Sequence, residues 1–472
     1  MVQSTGHDRS PSPKSGLSRQ IIASAIVSMT SLIGGLGQGW NSPITMKLRT
    51  DDSPIGPMSK QEIANLLTLP SYVAFGLGFS FIYFINRFGR KPVMVITTIP
   101  CCAGYLILAF ANSETMLYVG KIVSMISLGG MSCGQMYVSE VTHESIRGVM
   151  LSVCTLQINV GILLSYTLGK WLNYKWFNVV LSITPAILGV LVSFLPETPP
   201  FLVGKSRYED AKKSLVWFKG GDVSLAESEL EIIKESSQSE DKTETTLMQE
   251  MKQRASKIAL IVGFLGYFLQ TASGIHAVVN YAGIIFEEAG SPLSADDSSI
   301  VTAVLNLAAS FVNLFLIDIF GRKILLYISF IGGSISLAVL SVFLYINERT
   351  EMDASHFGWI PIASLSIFIF TYGIGLASVP GILLNELTPT KVKAVLVSFV
   401  MIICLIFVLG IVQTFPFVDD NFGLYTCFAV PAACNVMGLF YTAFLVPETR
   451  GKSLTVIADE LNRKNRHENE EE

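Results

Sequence analysis

The chain has 472 residues, of which 50% are hydrophobic and only 15% charged, with a mean hydropathy of +0.51; a soluble domain is nearer a quarter charged. That balance excludes an ordinary soluble protein and points to one dissolved largely in lipid. The net charge of −4 comes with no basic stripe, which excludes nucleic acid as a partner.

Residues 1–19 are polar and Ser/Pro-rich, with no apolar core of the kind a cleavable signal peptide needs, so they read as a tail. Apolar runs long enough to cross about 30 Å of hydrocarbon then follow near 20–43, 64–85, 92–112, 115–137, 149–171, 176–195, 258–286, 299–317, 324–346, 357–384, 395–416 and 423–446. The expectation is an all-α membrane protein with twelve transmembrane helices. If both termini are cytosolic, 26 of the 33 Lys and Arg lie on the inner side and six on the outer, with Lys121 inside a helix; the positive-inside rule favours that orientation. The seven cysteines all fall within apolar runs. They form neither a disulfide framework nor a metal-ligand spacing, and no cofactor motif is present. Nor is there a nucleophile with a base, a carboxylate pair or a phosphate loop, so no enzyme chemistry is indicated.

Three echoes divide the chain. "NRFGRK" at 86–91 returns as "DIFGRK" at 318–323, Glu140 followed by Arg147 returns as Glu386 followed by Lys393, and "PET" at 196 returns at 447. Their order is the same and their offsets are close, at 232, 246 and 251 residues. Duplication of a six-helix unit explains this, and the echoes then fall at inner helix ends. Two six-helix bundles related about the membrane normal follow the repeat logic of major facilitator transporters. The segments are a tail (1–19), a first bundle (20–202), a polar linker (203–256), a second bundle (257–454) and a tail (455–472). Within the linker, Ala211, Leu215 and Phe218 have helical spacing. The Ser/Glu/Lys/Thr-rich middle carries too few apolar residues to pack, so short helices with a mobile segment are expected.

Polar side chains at membrane depth mark the candidate pathway, because a polar group facing lipid is costly. In the seventh run Gln270, Ser273, His276 and Asn280 fall within an arc of about 120° at 100° per residue. The stripe lines a pathway or bonds neighbouring helices. Gln38 and Asn41 in the first run, Gln157 in the fifth and Asn306 in the eighth are further candidates.

Eight pieces together identify a family resemblance: "NRFGRK", "YVSEVTHESIRG" (137–148), "LQINVGILLSY" (156–166), "PETPPFL" (196–202), "QTASGIHAVVNY" (270–281), "DIFGRK", "PGILLNELTP" (380–389) and "PETRGKSL" (447–454). The chain resembles the sugar porter branch of the major facilitator superfamily and, within it, insect facilitated trehalose and glucose transporters. The resemblance implies a plasma-membrane facilitator of a small solute, a hexose or a trehalose-like disaccharide, working as a monomer by alternating access. It also implies that Gln157, Gln270 and Asn306 meet sugar hydroxyls, and that charged helix ends form a gating network. In that network Arg90 and Arg147 bridge Glu140, while Arg322 and Lys393 bridge Glu386, with Arg87, Asp318 and the two "PET" carboxylates, Glu197 and Glu448, joining them. Basic residues at helix ends also serve simply as topology anchors.

The sequence departs from the family pattern in ways that bear on cargo. Thr271, His276 and Asn280 replace a Gln, an Asn and an aromatic in the seventh helix; Gly381, Cys404 and Leu405 stand where the family has stacking or polar residues; Pro200 replaces an Arg. Lys121 stands one residue off the family's Arg, and it either snorkels or meets a polar residue of the first helix. A facilitator of a non-sugar polyol or organic solute and a non-transporting sugar sensor are the alternatives. No Asp or Glu lies away from a helix end in the first, fourth, fifth, seventh, eighth, tenth or eleventh run, and Leu36 fills the place where proton-coupled relatives carry Asp. Uniport is therefore expected, with His276 neutral.

Overall fold

A computed structural model describes residues 16–50, 53–240, 254–288, 294–350, 357–388 and 393–447, and within them every regular element is a helix. Twelve membrane spans account for most of it. The first is Leu17–Gly39 continuing as Asn41–Leu48, the second Lys60–Phe88, the third Arg90–Ala109, and the fourth Glu114–Met125 continuing as Ser127–Val141. The fifth is Glu144–Trp171 and the sixth Tyr174–Ser193. After the linker come the seventh, Arg254–Ala272 with Ile275–Glu288, the eighth, Ala295–Phe320, and the ninth, Arg322–Arg349. The tenth is Ile360–Ile374 with Val379–Leu387, the eleventh Lys393–Phe422 and the twelfth Leu424–Phe444. Each of the twelve apolar runs overlaps one of these spans. Their outer surface is apolar, with Ile99, Phe194, Ile335 and Phe440 among many large exposed side chains, as lipid requires.

The first, fourth, seventh and tenth spans are all interrupted, so the two-fold repeat has a finer, three-helix grain. The first two interruptions, at Trp40 and Ile126, keep helical dihedrals. The other two are true breaks: Gly274 has φ +96° and Gly375 leaves the helical region at φ −135°.

Local chemistry explains the "FGR" echo. The second span starts in a capping box, with the Ser59 amide donating to Glu62 Oε2 at 2.8 Å and the Glu62 amide to Ser59 Oγ at 3.3 Å. The eighth is capped by Ser294, whose hydroxyl oxygen accepts from the Asp297 amide at 3.1 Å. Each ends at its echo glycine, Gly89 at φ +104° and Gly321 at φ +81°, a region that disfavours any residue with a Cβ. At Gly89 a Cβ would also sit 2.2 Å from Glu197 Oε2. The glycine therefore turns the chain and admits a carboxylate.

Close packing of small residues holds the first half together. A Cβ on Gly35 would lie 2.0 Å from the Ile158 carbonyl oxygen, and one on Gly161 2.4 Å from that of Leu32, so the first and fifth spans touch backbone to backbone. On the face that carries the echoes, three linker helices (Pro199–Gly204, Tyr208–Phe218, Val223–Glu240) form a platform. Ala211, Leu215 and Phe218 are buried in it, at the spacing the sequence indicates. Arg19 donates to the Trp217 carbonyl at 3.1 Å and the Gln20 side chain accepts from the His143 amide at 2.9 Å, tying the platform to the first and fourth spans. The mobile segment expected in the linker overlaps 241–253, which lies outside the described residues.

Candidate functional site: a central cavity between the two halves

A cavity of about 840 Å³ lies between the halves. Its polar lining comes chiefly from the first, fourth, fifth, seventh and eighth spans, with Gln38, Asn41, Lys121, Asn159, His276, Asn280, Asn306 and Ser310 facing it. Among the described residues, no Asp or Glu lines it. Five of the seven sequence-predicted pocket residues are thus brought together: Gln38, Asn41, His276, Asn280 and Asn306.

Gln157 and Gln270 are set apart from this lining, contrary to the sequence expectation. On the fifth span the cavity face is Thr155, Ile158, Asn159 and Ile162, and Gln157 points about 100° away from Ile158. Gln270 precedes the Gly274 break, which ends the continuous helix that the polar stripe assumed. Its Nε2 donates to the carbonyls of Leu376 (2.7 Å) and Ala377 (3.3 Å), filling acceptors that the broken tenth span leaves open. It serves as an interhelical bond.

Two polar chains cross the cavity wall. Lys121 Nζ donates to Asn41 Oδ1 at 2.9 Å, Asn41 Nδ2 to Asn280 Oδ1 at 2.5 Å, and Asn280 Nδ2 to the His276 carbonyl at 2.7 Å. Across the fifth and eighth spans, Asn306 donates to Asn159 Oδ1 at 3.2 Å and Asn159 to Ser310 Oγ at 2.7 Å. Sequence reasoning missed Asn159, although its amide lies only two residues from Gln157 in the same quoted motif. The helical face, which two amides two residues apart in a largely apolar span do not reveal, was the missing fact.

Beyond these chains, on the side away from the echoes, further bonds join the halves. Gln413 donates to Asn65 Oδ1 at 2.6 Å and accepts from Thr68, and Tyr166 donates to the Val279 carbonyl at 2.7 Å. Farther out, Lys60 pairs with Asp419 (2.7 Å) and Asp420 (3.7 Å), Arg49 with Glu287 (3.5 Å), and Lys170 with Asp297. That end is closed. In the other direction the lining continues to Phe81, Ile85, Met136 and Met401, within one or two turns of the echo-bearing face.

On the echo-bearing face the ion pairs seen among the described residues stay within each half. Arg90 holds Glu140 through two nitrogens, Nη2 at 2.6 Å and Nε at 3.1 Å, and Arg322 Nη2 lies 2.8 Å from Glu386 Oε1. Glu197 accepts from the backbone amides of Lys91 (3.1 Å) and Thr198 (2.8 Å). Burial raises its pKa, and those amides together with the Arg90 charge oppose the rise. Two expected members are placed elsewhere. Arg147 is exposed and donates to the Thr142 carbonyl at 3.4 Å instead of reaching Glu140; Arg87 is exposed with no side-chain partner among the described residues. The fifth span starts just before Arg147, which turns its side chain outward. The side chains of Asp318 and Lys393, and the whole of Glu448, lie outside the described residues.

The model of the family described as "Sugar (and other) transporter" matches residues 23–461. The chain belongs to the sugar (and other) transporter family. Among its relatives, the facilitated trehalose transporter Tret1 of Polypedilum vanderplanki is 30% identical over 439 residues, covering 93% of this chain and 87% of the relative. Tret1 of Bombyx mori is 29% identical over 459 residues, covering 96% and 89%. The inward-open xylose transporter XylE from E. coli superposes with a TM-score of 0.75 at 19% identity, covering 93% of this chain and 99% of that one. The proton:xylose symporter XylE bound to 6-bromo-6-deoxy-D-glucose gives 0.73 at 20%, covering 94% and 100%. At such identities these superpositions establish the major facilitator fold. Members of this family move solutes rather than transform them, and the twelve-helix membrane fold of this transporter is theirs.

Proposed function

We propose that the protein carries a sugar, a hexose or a trehalose-like disaccharide, across the plasma membrane by facilitated diffusion. The observation that supports this best is the cavity, lined by paired amides and hydroxyls that match adjacent donor and acceptor groups of a polyol. It lies between two halves of one chain, so a single copy contains the whole pathway. Among the described residues the lining holds no carboxylate that would carry a proton between faces, which supports uniport driven by the solute gradient. The excess of Lys and Arg that the sequence puts on the echo-bearing side supports a cytosolic location for that face and both termini. On that assignment the ion pairs that join the halves are extracellular and the cavity opens inward. Alternating access then requires those outer bonds to part and the echo-bearing helix ends to approach.

The test is uptake by proteoliposomes of labelled D-glucose and trehalose, each at equal concentration on both sides, with an imposed proton gradient. Saturable exchange without net accumulation is expected. Accumulation abolished by a protonophore would overturn the uniport reading, and the absence of exchange of either sugar would overturn sugar transport.

A further inference from the structure

Among the described residues, Lys121 is a cation without a counter-charge in the cavity. Its residue is 2% exposed, and it lines the cavity, to which no described Asp or Glu contributes. Its named contacts are the Asn41 amide oxygen at 2.9 Å and the face of the Trp40 indole, with the ring centroid 3.9 Å from Nζ. Trp40 is fully buried and held in register, its Nε1 donating to Asn178 Oδ1 at 2.7 Å and Asn178 donating in turn to the Tyr174 carbonyl at 2.9 Å. A ring clamped in that way presents a fixed electron-rich face, the surface that suits an ammonium group. An ammonium has three donors and no acceptor capacity, and the one amide oxygen leaves two donors for the cavity side. A buried charge with no ion to answer it is costly; neither Asn41 nor Trp40 carries one.

A second donor stands one turn away. The Tyr105 hydroxyl lines the same cavity, has no hydrogen-bond partner among the described residues, and would lie 3.4 Å from a Cβ placed on Gly37. Gly37 and Asn41 are i and i+4 on the first span, neighbours on one face about 6 Å apart. Lys121 and Tyr105 therefore flank one stretch of the first helix, each with unspent donors. A carboxylate, with two acceptor oxygens and one negative charge, matches both.

We propose that this corner is an anion subsite, and that the cargo range extends to sugar acids, such as uronates, whose carboxylate docks on Lys121 and Tyr105 while the hydroxyls meet the cavity amides. This rests on the reading of the protein as a sugar facilitator. Since the lysine stays with the protein and the cargo moves, transport of such a solute carries net negative charge.

The experiment uses the full chain in proteoliposomes with labelled D-glucuronate, D-glucose and trehalose under a clamped potential. The expected result is saturable glucuronate uptake that competes with glucose and, at equilibrium, follows the potential, about 50-fold accumulation for 100 mV inside-positive. Lys121→Gln should lower the preference for glucuronate over glucose by at least about tenfold, Tyr105→Phe should lower it less, and Lys121→Arg should retain it. Glucose exchange with neither uptake of nor competition by glucuronate would overturn the subsite and leave sugar facilitation standing. An unchanged preference ratio in Lys121→Gln would overturn it as well. Glucuronate uptake with no exchange of glucose or of trehalose would keep the subsite and overturn the neutral-sugar reading, and transport of none of the three would overturn both.

Discussion

The two ends of the bundle use charge differently. At the end that carries the "FGRK" echoes, Arg90–Glu140 and Arg322–Glu386 join helices of the same half, and their side chains are only 12–22% exposed. At the other end Arg49–Glu287, Lys60–Asp419 and Lys170–Asp297 join the two halves, and five of those six side chains are 28–54% exposed. A pair inside a half survives when the halves rock, so it contributes to the stability of each half as a rigid body. A pair between halves must break for the cavity to change sides, so it contributes to the conformational equilibrium. Partial burial suits the first role because breaking a shielded pair is more unfavourable than breaking one in water; exposure suits the second because a pair worth about 1 kcal/mol can be released.

The largest expected effect breaks the buried side of this contrast. Arg90→Ala leaves the Glu140 carboxylate without its guanidinium, and one of its oxygens, Oε2, already has no hydrogen-bond partner. A cost of about 2–3 kcal/mol follows for a half-buried, charge-assisted pair, read as a lower Tm of the detergent-solubilised protein. Removing Glu140 as well should restore part of it. A Tm unchanged in Arg90→Ala would remove the distinction between the two ends.

The exposed side gives a smaller effect of a different kind. Replacing Arg49, Lys60 and Lys170 together by Ala removes four ion pairs of up to about 1 kcal/mol each. If about 2 kcal/mol is lost in sum, the balance of states moves roughly 30-fold towards opening of that end. A cysteine introduced at Leu67, in the lining, would then be labelled faster by an impermeant reagent added from that side, and high salt would reproduce part of the gain in the unmodified protein by screening. Equal labelling rates in the triple variant and the parent would deny these pairs a gating role.

Between the ends, Asn280→Ala and Asn306→Ala should each weaken sugar binding by about 1–3 kcal/mol, whereas Gln157→Ala, off the lining, should change uptake less than about twofold. A larger loss in Gln157→Ala would mean that another state turns that face inward. The smallest effect concerns Glu197. Its carboxyl titrates above its ordinary range in the folded protein, so the folded state holds that proton more tightly than the unfolded one. The group's contribution to stability is therefore greatest below its unfolded pKa and is lost as pH rises through the folded value. The Tm of the parent relative to Glu197→Gln should fall as pH rises from about 4.5 towards neutrality, and a constant difference would locate that carboxylate in solvent.

How far the sequence reached depended on what kind of fact was needed. Apolar runs long enough to span the bilayer identify helices by themselves, because no other isolated segment satisfies its backbone there, and the ordered echoes identify the duplication. The buried Ala211, Leu215 and Phe218 were legible for the same reason, since their spacing is local. The breaks were not. Gly274 ends a helix that a uniform 100° rotation carries straight through, and so Gln270, which shares an arc with His276 and Asn280 on paper, bonds the tenth span while they face the cavity.

Partners are the other thing that only the tertiary structure decided. Glu140 and Glu386 each follow an echo arginine, and those pairs formed; Arg147, equally well placed by motif, did not join, because the direction of a side chain at a helix end depends on the turn before it. Lys121 is plain in the sequence as a charge at membrane depth, but whether it would snorkel or turn inward depends on what surrounds it. The fold sets Trp40 and Asn41 there from the first span, and among the described residues it supplies no carboxylate. Local periodicity and hydropathy determine the elements, since they are properties of neighbours along the chain. Helix rotation, breaks and contacts between residues fifty or more positions apart are set by packing, and they decide which polar groups meet and which are left for a ligand.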